Sequence, residues 1–295
     1  MNTKKLREIK NAIEQQISDD LNRCGVMFRI FGRVKTARSL AHKMAWKGDK
    51  YRATGKKMQD MIGLRIVLYF PQDVDLLGFF FSCTNLVDAS IDTPDADTFR
   101  PQRLNLVKNI PEELVSDFRD SLPAEYAPFV DNTFEVQIRT VFSEGWHEVE
   151  HDMRYKCAGD WAGYEPSSRA LNGVIATLET AEWTMSSIFR EMSRDNYERG
   201  ELRAMLRNKM LVRIADNDFS PRVSHFLSSH PEVLKALFDS DRMVFLITVL
   251  SHKGKIRLTY DNIAFLINRF DIMNDELLQL EDEQTRAEID AFIQS

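Results

Sequence analysis

The sequence contains few cysteines and no long apolar stretch. Its 295 residues include only Cys24, Cys83 and Cys157, which form no CxxC pair. This usage predicts reduced thiols and a cytoplasmic protein, because disulfide-stabilised chains carry paired and closely spaced cysteines. The longest apolar stretches, such as residues 243–250, fall far short of the roughly 20 residues that a membrane-spanning helix needs. Residues 1–16 lack the apolar core of a signal peptide, so we expect no contact with a membrane.

An excess of positive charge is also absent from the chain as a whole. Lysine and arginine number 39 against 45 aspartates and glutamates, which gives a formal net charge of −6. This balance excludes the strongly basic classes of nucleic-acid-binding protein. The P-loop motif GxxxxGK[ST] and the glycine-rich loop GxGxxG are missing too, which excludes two large classes of ATP-binding protein.

The pattern of apolar residues divides the chain near residue 196. Runs of apolar and β-branched residues predict strands at 26–35, 61–70, 103–107 and 133–140. A helix is expected over residues 73–87, and the acidic residues 88–98 predict a loop. After residue 196 the spacing is helical, except for a candidate strand at 255–260. We therefore predict an α+β domain over residues 1–195, with a mixed β-sheet flanked by helices, followed by an α-helical domain over residues 196–295.

One segment is strongly basic. Residues 33–57, called the cationic segment below, carry nine lysines and arginines and one acid, Asp49. Such a cluster repels itself unless an anion or an acidic surface lies against it. The segment is therefore either a solvated helix face or a site for a polyanion.

Two carboxylates occur in or beside the predicted strands. Asp60 stands at the head of an apolar strand, where an isolated carboxylate is costly unless it is paired or bound to metal. Glu135 alternates with apolar residues, so that it shares one strand face with Gln137 and Arg139. Both carboxylates also have simple explanations, a turn at the strand entry and a solvent-facing sheet surface. Beside the cationic segment, however, they fit Mg²⁺ and a polyphosphate, because Mg²⁺ prefers carboxylates together with phosphate oxygens.

The string HEVEH, residues 147–151, matches the HExxH motif of zinc proteases. The longer motif HExxHxxGxxH is absent. Arg154 and Lys156 would also place two cations beside a zinc ion. The protease interpretation is therefore not supported.

Three motifs occur in an order that resembles the synthetase domain of the RelA/SpoT-type alarmone synthetases, which has a nucleotidyltransferase-like fold. They are GRVKTARSLAHKM (32–44), DMIGLRIV (60–67) and FEVQIRTVFSEGWHEVEHDMRYK (134–156). The family pattern is R-x-K-x-x-x-S-[IL]-x-x-K, then D-[IM]-x-G-[IL]-R, then E-[IV]-Q-I-R-T…W…E-H…Y-K. No hydrolase domain precedes the motifs, so the chain is expected to be similar to the small alarmone synthetases.

This resemblance implies that pyrophosphate is transferred from ATP to the ribose 3′-hydroxyl of a guanine nucleotide, giving (p)ppGpp. It implies Mg²⁺ as cofactor, with Asp60 and Glu135 as catalytic residues and metal ligands, Glu135 alternatively as the base. Arg65 is expected either to pair with a strand carboxylate or to act directly in the site. The implied ATP-binding residues are Arg33, Lys35, Ser39, Lys43, Arg52, Lys56 and Lys57. The implied acceptor-binding residues are Gln137, Arg139, His151 and Lys156.

The acceptor loop departs from the family. The family motif G-Y-x-S-x-H, whose tyrosine stacks on guanine, is not found. Phe99 could stack in its place and Arg103 could hold a phosphate, or Asn105 could take the histidine position. The acceptor is therefore GDP or GTP, an adenine nucleotide, or the 3′ end of tRNA, the last as in a toxin. A nucleotide-binding module without turnover is the remaining reading.

The sequence assigns no oligomeric state and no role to the helical domain. Its acidic end suggests the hypothesis that this tail docks on the cationic segment and inhibits it, and a role in dimerisation is the alternative.

Overall fold

The computed structural model describes residues 1–84, 86–92 and 103–295. Their contacts form two compact units. The first unit comprises Met1–Ser18 and Phe28–Thr180, and the second comprises Asp19–Met27 and Ala181–Ser295. Two long helices, α1 (Thr3–Arg23) and α6 (Glu165–Glu198), contribute residues to both units. The units thus divide between residues 180 and 181, inside α6, while the division at residue 196 stays a prediction.

A mixed five-stranded sheet forms the centre of the first unit. Its strands are β1 (Phe28–Val34), β2 (Ile62–Leu68), β3 (Leu86–Asp92), β4 (Arg103–Asn109) and β5 (Thr133–Thr140). Their order across the sheet is β1-β2-β5-β4-β3. The central strands β2 and β5 run parallel, and every other neighbouring pair is antiparallel. The predicted mixed sheet with flanking helices is confirmed.

One face of this sheet is apolar and packed. Leu64 and Ile66 of β2 lie beside Val136 and Ile138 of β5, and all four side chains are buried. The helices of the first unit are α1, α2 (Ala37–Thr54), α3 (Gln72–Ser82), α4 (Glu112–Ser121), α5 (Val141–Glu150) and the first part of α6. Successive side chains of a strand point to opposite faces of the sheet, so the residues that alternate with these buried ones lie on the second face. That second face is the polar one.

Three local predictions are wrong. The predicted loop at 88–98 is a strand over residues 88–92, which lie in β3, while residues 93–98 are outside the described part of the chain. The predicted helix at 73–87 ends at Ser82, so that its last residues begin β3. Residues 255–259 form no strand, and Tyr260 begins a helix.

The second unit is helical, as predicted for the C-terminal part of the chain. Its helices after α6 are α7 (Leu202–Met210), α8 (Pro221–Ser229), α9 (Pro231–Asp239), α10 (Arg242–Ser251), α11 (Tyr260–Ile267), α12 (Asp275–Gln279) and α13 (Glu283–Ile293). Polar side chains cap several of them: Asp241, for example, accepts hydrogen bonds from the first backbone N–H groups of α10. Within the described residues, no helix combines the length and apolar character that crossing a membrane requires.

Candidate active site

The register of the three strands β1, β2 and β5 assembles a polar surface. Gly63 of β2 lies opposite Glu135 of β5 on one side and Arg33 of β1 on the other. Two residues further along β2, Arg65 lies opposite Gln137. Directly opposed residues of neighbouring strands point to the same sheet face. Arg33 and Glu135 therefore flank a position without a side chain. The Arg33 side chain lies over this position, since a Cβ at Gly63 would be 3.5 Å from Arg33 Nε.

Helix α5 covers this surface from one side. It follows β5 without a loop, because the Thr140 hydroxyl accepts a hydrogen bond from the Ser143 backbone N–H at 3.1 Å and caps the first turn. The helix continues into a π-helical turn, His151–Tyr155, in which the Lys156 N–H donates to the His151 carbonyl. Single π turns in α-helices are frequent at functional sites. Here the turn brings residues of one helix face to the edge of the polar surface.

A cavity of about 260 Å³ lies between this helix and the sheet. Its lining is mostly polar and includes three cationic and three carboxylate side chains. The lining residues are Phe31, Gly32, Arg33, Gly63, Leu64, Arg65, Glu135, Gln137, Glu148, His151, Asp152 and Lys156. Of the residues predicted for the site, the cavity thus brings together Arg33, Glu135, Gln137, His151 and Lys156.

Arg65 is held by the helix above it. Its guanidinium donates to Glu144 Oε1 at 2.5 Å and also pairs with Glu148. Burial alone would lower the pKa of Arg65, but the charges and hydrogen bonds of these two carboxylates raise it. Its Nε also donates to Gln137 Oε1 at 3.3 Å. Arg65 therefore stays charged, and its carboxylate partners lie on α5 and not on a strand as expected. Arg65 also lines the cavity, while its direct role stays a prediction.

Arg139 lies deeper. Its side chain is buried, and its guanidinium donates to Glu144 Oε2 at 2.9 Å. It is not among the residues that line the cavity. Glu144 thus accepts hydrogen bonds from both Arg139 and Arg65, and the predicted acceptor-binding role of Arg139 stays a prediction.

Asp60 joins two residues of the predicted ATP site. Its Oδ2 lies 2.9 Å from Lys35 Nζ and 2.8 Å from Lys43 Nζ. Burial raises the pKa of Asp60, but the hydrogen bonds and charges of Lys43 and Lys35 outweigh this effect and lower it. The other oxygen, Oδ1, is buried and has no hydrogen-bond partner in the described part of the chain. An unsatisfied buried carboxylate oxygen is costly, so a ligand for this atom is expected.

The two predicted metal ligands fit Mg²⁺ in chemical terms. Glu135 is half-buried and lines the cavity, and its carboxylate makes no hydrogen bond or ion pair with any described residue. Together with the unsatisfied oxygen of Asp60, it provides carboxylate oxygens of the kind that Mg²⁺ takes alongside phosphate oxygens and water. Among the described residues, no group of three or more His, Cys, Asp or Glu side chains forms a metal site within the protein itself.

The remaining predicted ATP residues lie along α2 and the loop after it. Ser39 is exposed in the first turn, where its backbone N–H donates to Thr36 Oγ1 at 3.1 Å. Arg52, in the last turn, pairs with the exposed Asp49. Lys56 and Lys57 follow the helix and are exposed. None of these four predicted side chains pairs with the cavity residues, and their roles stay predictions.

His151, Asp152 and Lys156 form a chain of contacts at the cavity rim. Asp152 Oδ1 lies 3.0 Å from His151 Nδ1 and 2.6 Å from Lys156 Nζ. The hydrogen bonds from Lys156 and His151 lower the pKa of Asp152. The His151 ring also stacks on Tyr155, with ring centroids 5.6 Å apart. The carboxylate of Asp152 therefore fixes two predicted acceptor-site residues.

The predicted acceptor loop falls largely outside the described residues. Phe99 lies there, and so does the side chain of Arg103, whose backbone begins β4. Asn105 of β4 pairs in register with Gln137. Its partly exposed side chain lies on the polar face of the sheet.

Sequence reasoning missed three cavity residues. Phe31 precedes the first motif and is 56% exposed. Glu148 and Asp152 stand four residues apart on the helix that carries the third motif. Helical spacing from His151 and Lys156 could have placed both acids on the cavity side. Phe31 could have been found by alternation, because it lies two residues before Arg33 on the same strand face.

A parallel strand pair with cations, an unpaired carboxylate and a covering helix thus forms the candidate site. Part of the chain matches a known family. Residues 32–160, a little under half of the chain, match the family described as "Region found in RelA / SpoT proteins". The predicted resemblance is therefore confirmed over these residues. No curated protein matches the chain.

Several solved structures are similar to part of the chain. Small alarmone synthetase 1 from Bacillus subtilis is 21% identical, with 64% of this chain and 93% of that chain covered and a TM-score of 0.46. Small alarmone synthetase 2 from the same organism is 21% identical, with 61% of this chain and 92% of that chain covered and a TM-score of 0.46. A GTP pyrophosphokinase family protein from Streptococcus pneumoniae is 18% identical, with 62% of this chain and 88% of that chain covered and a TM-score of 0.46. These values are too low to transfer an activity to this chain.

Proposed function

We propose that the protein is an ATP-dependent pyrophosphokinase that moves the β,γ-pyrophosphate of ATP to the ribose 3′-hydroxyl of a purine nucleotide. GDP and GTP are the first acceptors to test, with (p)ppGpp as the product. One observation carries the proposal: Glu135 is an unpaired carboxylate that lines a cavity together with Arg33. Gly63 lies between these two residues in the register of the sheet. The RelA/SpoT domain over residues 32–160 supports the same reaction class.

The cationic segment supports a polyphosphate donor. Lys35 and Lys43 share one oxygen of Asp60, so both ammonium groups are partly neutralised. The phosphates of ATP carry several negative charges and compete for these lysines. As the lysines turn to phosphate, both carboxylate oxygens of Asp60 become available. The lost ion pairs are thus replaced by contacts that exist only when the nucleotide is bound.

Asp60 and Glu135 would hold Mg²⁺, and the bound ion would neutralise part of the phosphate charge. The protein groups do the rest. Glu135 accepts a hydrogen bond from the 3′-hydroxyl, takes up its proton and orients its oxygen toward the β-phosphorus. As the new oxygen–phosphorus bond forms, the bond from the β-phosphorus to the α,β-bridging oxygen breaks and AMP leaves, while Arg33 and the lysines stabilise the charge on the transferred group. An ordinary glutamate is a weak base for an alcohol, so most of the rate acceleration comes from positioning and charge stabilisation.

The first experiment is a transfer assay with γ-labelled ATP and Mg²⁺. GDP, GTP, AMP, ADP, ATP and bulk tRNA are supplied separately as acceptors. Glu135→Gln is the test variant, and Glu113→Gln, an exposed residue of α4, is the matched control. Label on a purine nucleotide, lost in Glu135→Gln and kept in Glu113→Gln, supports the proposal. Turnover that survives in Glu135→Gln refutes the role of Glu135.

One observation favours a second candidate, pyrophosphorylation of the 3′ end of tRNA by a toxin. Arg38, His42 and Trp46 are exposed at intervals of four residues on α2, and Trp46 is 75% exposed. An arginine on the same helix face as an exposed aromatic ring is typical of surfaces that bind unpaired nucleotides. Label on tRNA alone, reduced at least tenfold by Trp46→Ala, would select this candidate. The absence of label on every acceptor, with ATP still bound, would leave a nucleotide-binding module.

A further inference from the structure

The charges of the cavity differ from those of the neighbouring segment. The cationic segment has nine cations and one acid. The cavity is lined by three cations, Arg33, Arg65 and Lys156, and by three carboxylates. Two of these carboxylates, Glu148 and Asp152, lie one helical turn apart at its α5 side, and each pairs with one of the cations.

These two acids neutralise the cations that would otherwise attract phosphate. Glu148 pairs with Arg65, which is already bound by Glu144. Asp152 pairs with Lys156 at 2.6 Å. A phosphate entering this side of the cavity would have to displace carboxylates from both cations. It would also lie beside Glu135, whose charge has no partner among the described residues.

Each acid nevertheless keeps one oxygen for a ligand. Glu148 binds Arg65 through Oε1, and Asp152 binds its partners through Oδ1. Within the described part of the chain, Glu148 Oε2 and Asp152 Oδ2 make no hydrogen bond. Both side chains are about half exposed, at 51% and 55%. A free carboxylate oxygen is an acceptor only, so this side of the cavity suits groups that donate hydrogen bonds.

Uncharged donors of this kind are the hydroxyls of a ribose and the N–H groups of a purine base. A nucleotide carries both at its nucleoside end and neither at its phosphate end. We propose that Glu148 and Asp152 are specificity-determining residues that receive the nucleoside part of the acceptor and exclude its phosphates from the α5 side of the cavity. This inference rests on the proposed function, because it takes the cavity to bind a nucleotide acceptor. It goes further by assigning an orientation: the acceptor phosphates point away from α5.

Binding of inorganic tripolyphosphate without Mg²⁺ tests the exclusion independently of turnover. In the double variant Glu148→Gln/Asp152→Asn the carboxylate charges are lost while the side-chain shapes are kept. Lys156 is freed fully and Arg65 only in part, since Glu144 remains. We expect tripolyphosphate to bind the double variant about tenfold more tightly than the unchanged protein, as measured by titration calorimetry at low ionic strength.

Two further variants assign the effect to the cavity. Adding Lys156→Gln to the double variant should remove most of the gain, because the freed ammonium group is gone. The control Glu112→Gln/Glu113→Gln removes two exposed acids of α4 and should change the affinity less than twofold. An equal gain in this control, or no gain in the double variant, overturns the inference.

Once an acceptor is known, the contact of Glu148 and Asp152 with its nucleoside part can be tested by measuring KM values. The double variant should raise the KM of the acceptor at least tenfold while the KM of ATP changes less than twofold. Equal changes in both constants contradict the specificity role. If no acceptor is labelled at all, the proposed function fails, but the tripolyphosphate titration still decides whether these acids exclude phosphate.

Discussion

Replacement of Asp60 by asparagine should separate nucleotide binding from turnover. In the unchanged protein, Lys35 and Lys43 both contact Asp60 Oδ2, and a nucleotide must compete for them. Asparagine keeps the shape of the side chain but removes the charge that holds the lysines. Binding without metal should therefore improve, whereas turnover should fall because a predicted Mg²⁺ ligand is lost.

The magnitude follows from the burial of the three side chains. They are 16–26% exposed, between a surface pair and a buried one. An ion pair in this range contributes about 1 kcal/mol, and two contribute about 2 kcal/mol, which corresponds to roughly thirtyfold in affinity. A nucleotide need not break both pairs completely. We therefore expect an ATP analogue that is not hydrolysed to bind Asp60→Asn about five- to thirtyfold more tightly in EDTA.

Titration calorimetry in EDTA and in Mg²⁺ measures both parts of this prediction. In Mg²⁺ the advantage should shrink or reverse, and turnover should fall at least about a hundredfold. Asp49→Asn is the matched control, because Asp49 lies in the same cationic segment but its side chain is fully exposed. Weaker or equal binding of the analogue by Asp60→Asn in EDTA would refute the competition between Asp60 and phosphate.

The remaining predictions concern stability. The pKa of Asp60 is lowered in the folded protein, so its ionised form stabilises the fold above the unfolded value of 3.8, and this stabilisation is lost as the pH falls through the lower folded value. The Tm difference between the unchanged protein and Asp60→Asn should therefore shrink as the pH is lowered below 3.8, and a constant difference contradicts this linkage. Thr140→Ala should cost about 1 kcal/mol through loss of the α5 cap, with Thr140→Ser near neutral in urea unfolding. Gly25→Ala should destabilise by about 2 kcal/mol or more, because its φ is +68° and a Cβ would lie 2.8 Å from the Arg213 carbonyl oxygen. Gly173 lies in α6, and a Cβ added there would meet no other atom within 4 Å. Gly173→Ala should therefore raise the free energy of unfolding by up to about 1 kcal/mol, and equal effects at both glycines would contradict this reasoning.

The central strands were predictable because their buried positions carry apolar residues. β2 and β5 carry apolar residues on the packed face, and the polar face of β5 is visible as the alternation of Glu135, Gln137 and Arg139. β3 was not predictable in this way. Its residues, LVDASID, are too acidic for a strand pattern, and pairing with β4 determines their conformation. Strand preference depends on such neighbours more than on the residues themselves.

The candidate site was predictable as a list of residue types but not as a set of pairs. The motifs supplied Asp60 and the two lysines, yet the sequence could not say that one oxygen of Asp60 serves both lysines. It also could not show that Arg139 is buried against Glu144. These contacts depend on where α2 and α5 cross the sheet, which is set by packing. The π turn after Glu150 has no sequence signal that we can name.

The structure also changes how the hypothesis of an inhibitory acidic tail should be tested. Truncation near residue 196 would cut at the end of α6 and leave residues 181–195, which belong to the second unit, without the helices that cover them. Loss of solubility would then say nothing about inhibition. Point changes in α13 avoid this problem, because its buried residues Ile289 and Phe292 can be left in place.

The acids of the tail are not equivalent. Asp290 pairs with Arg269 at 3.2 Å, and the buried Glu281 pairs with the same arginine, so both hold the second unit together. Glu283 and Glu288 are exposed and can be changed without loss of the core. If the tail inhibits the cationic segment, Glu283→Gln/Glu288→Gln should raise turnover severalfold at low ionic strength and leave Tm within about 2 °C. Unchanged turnover at every salt concentration removes charge attraction by these two acids as a means of inhibition and leaves dimerisation as the remaining hypothesis for the helical region.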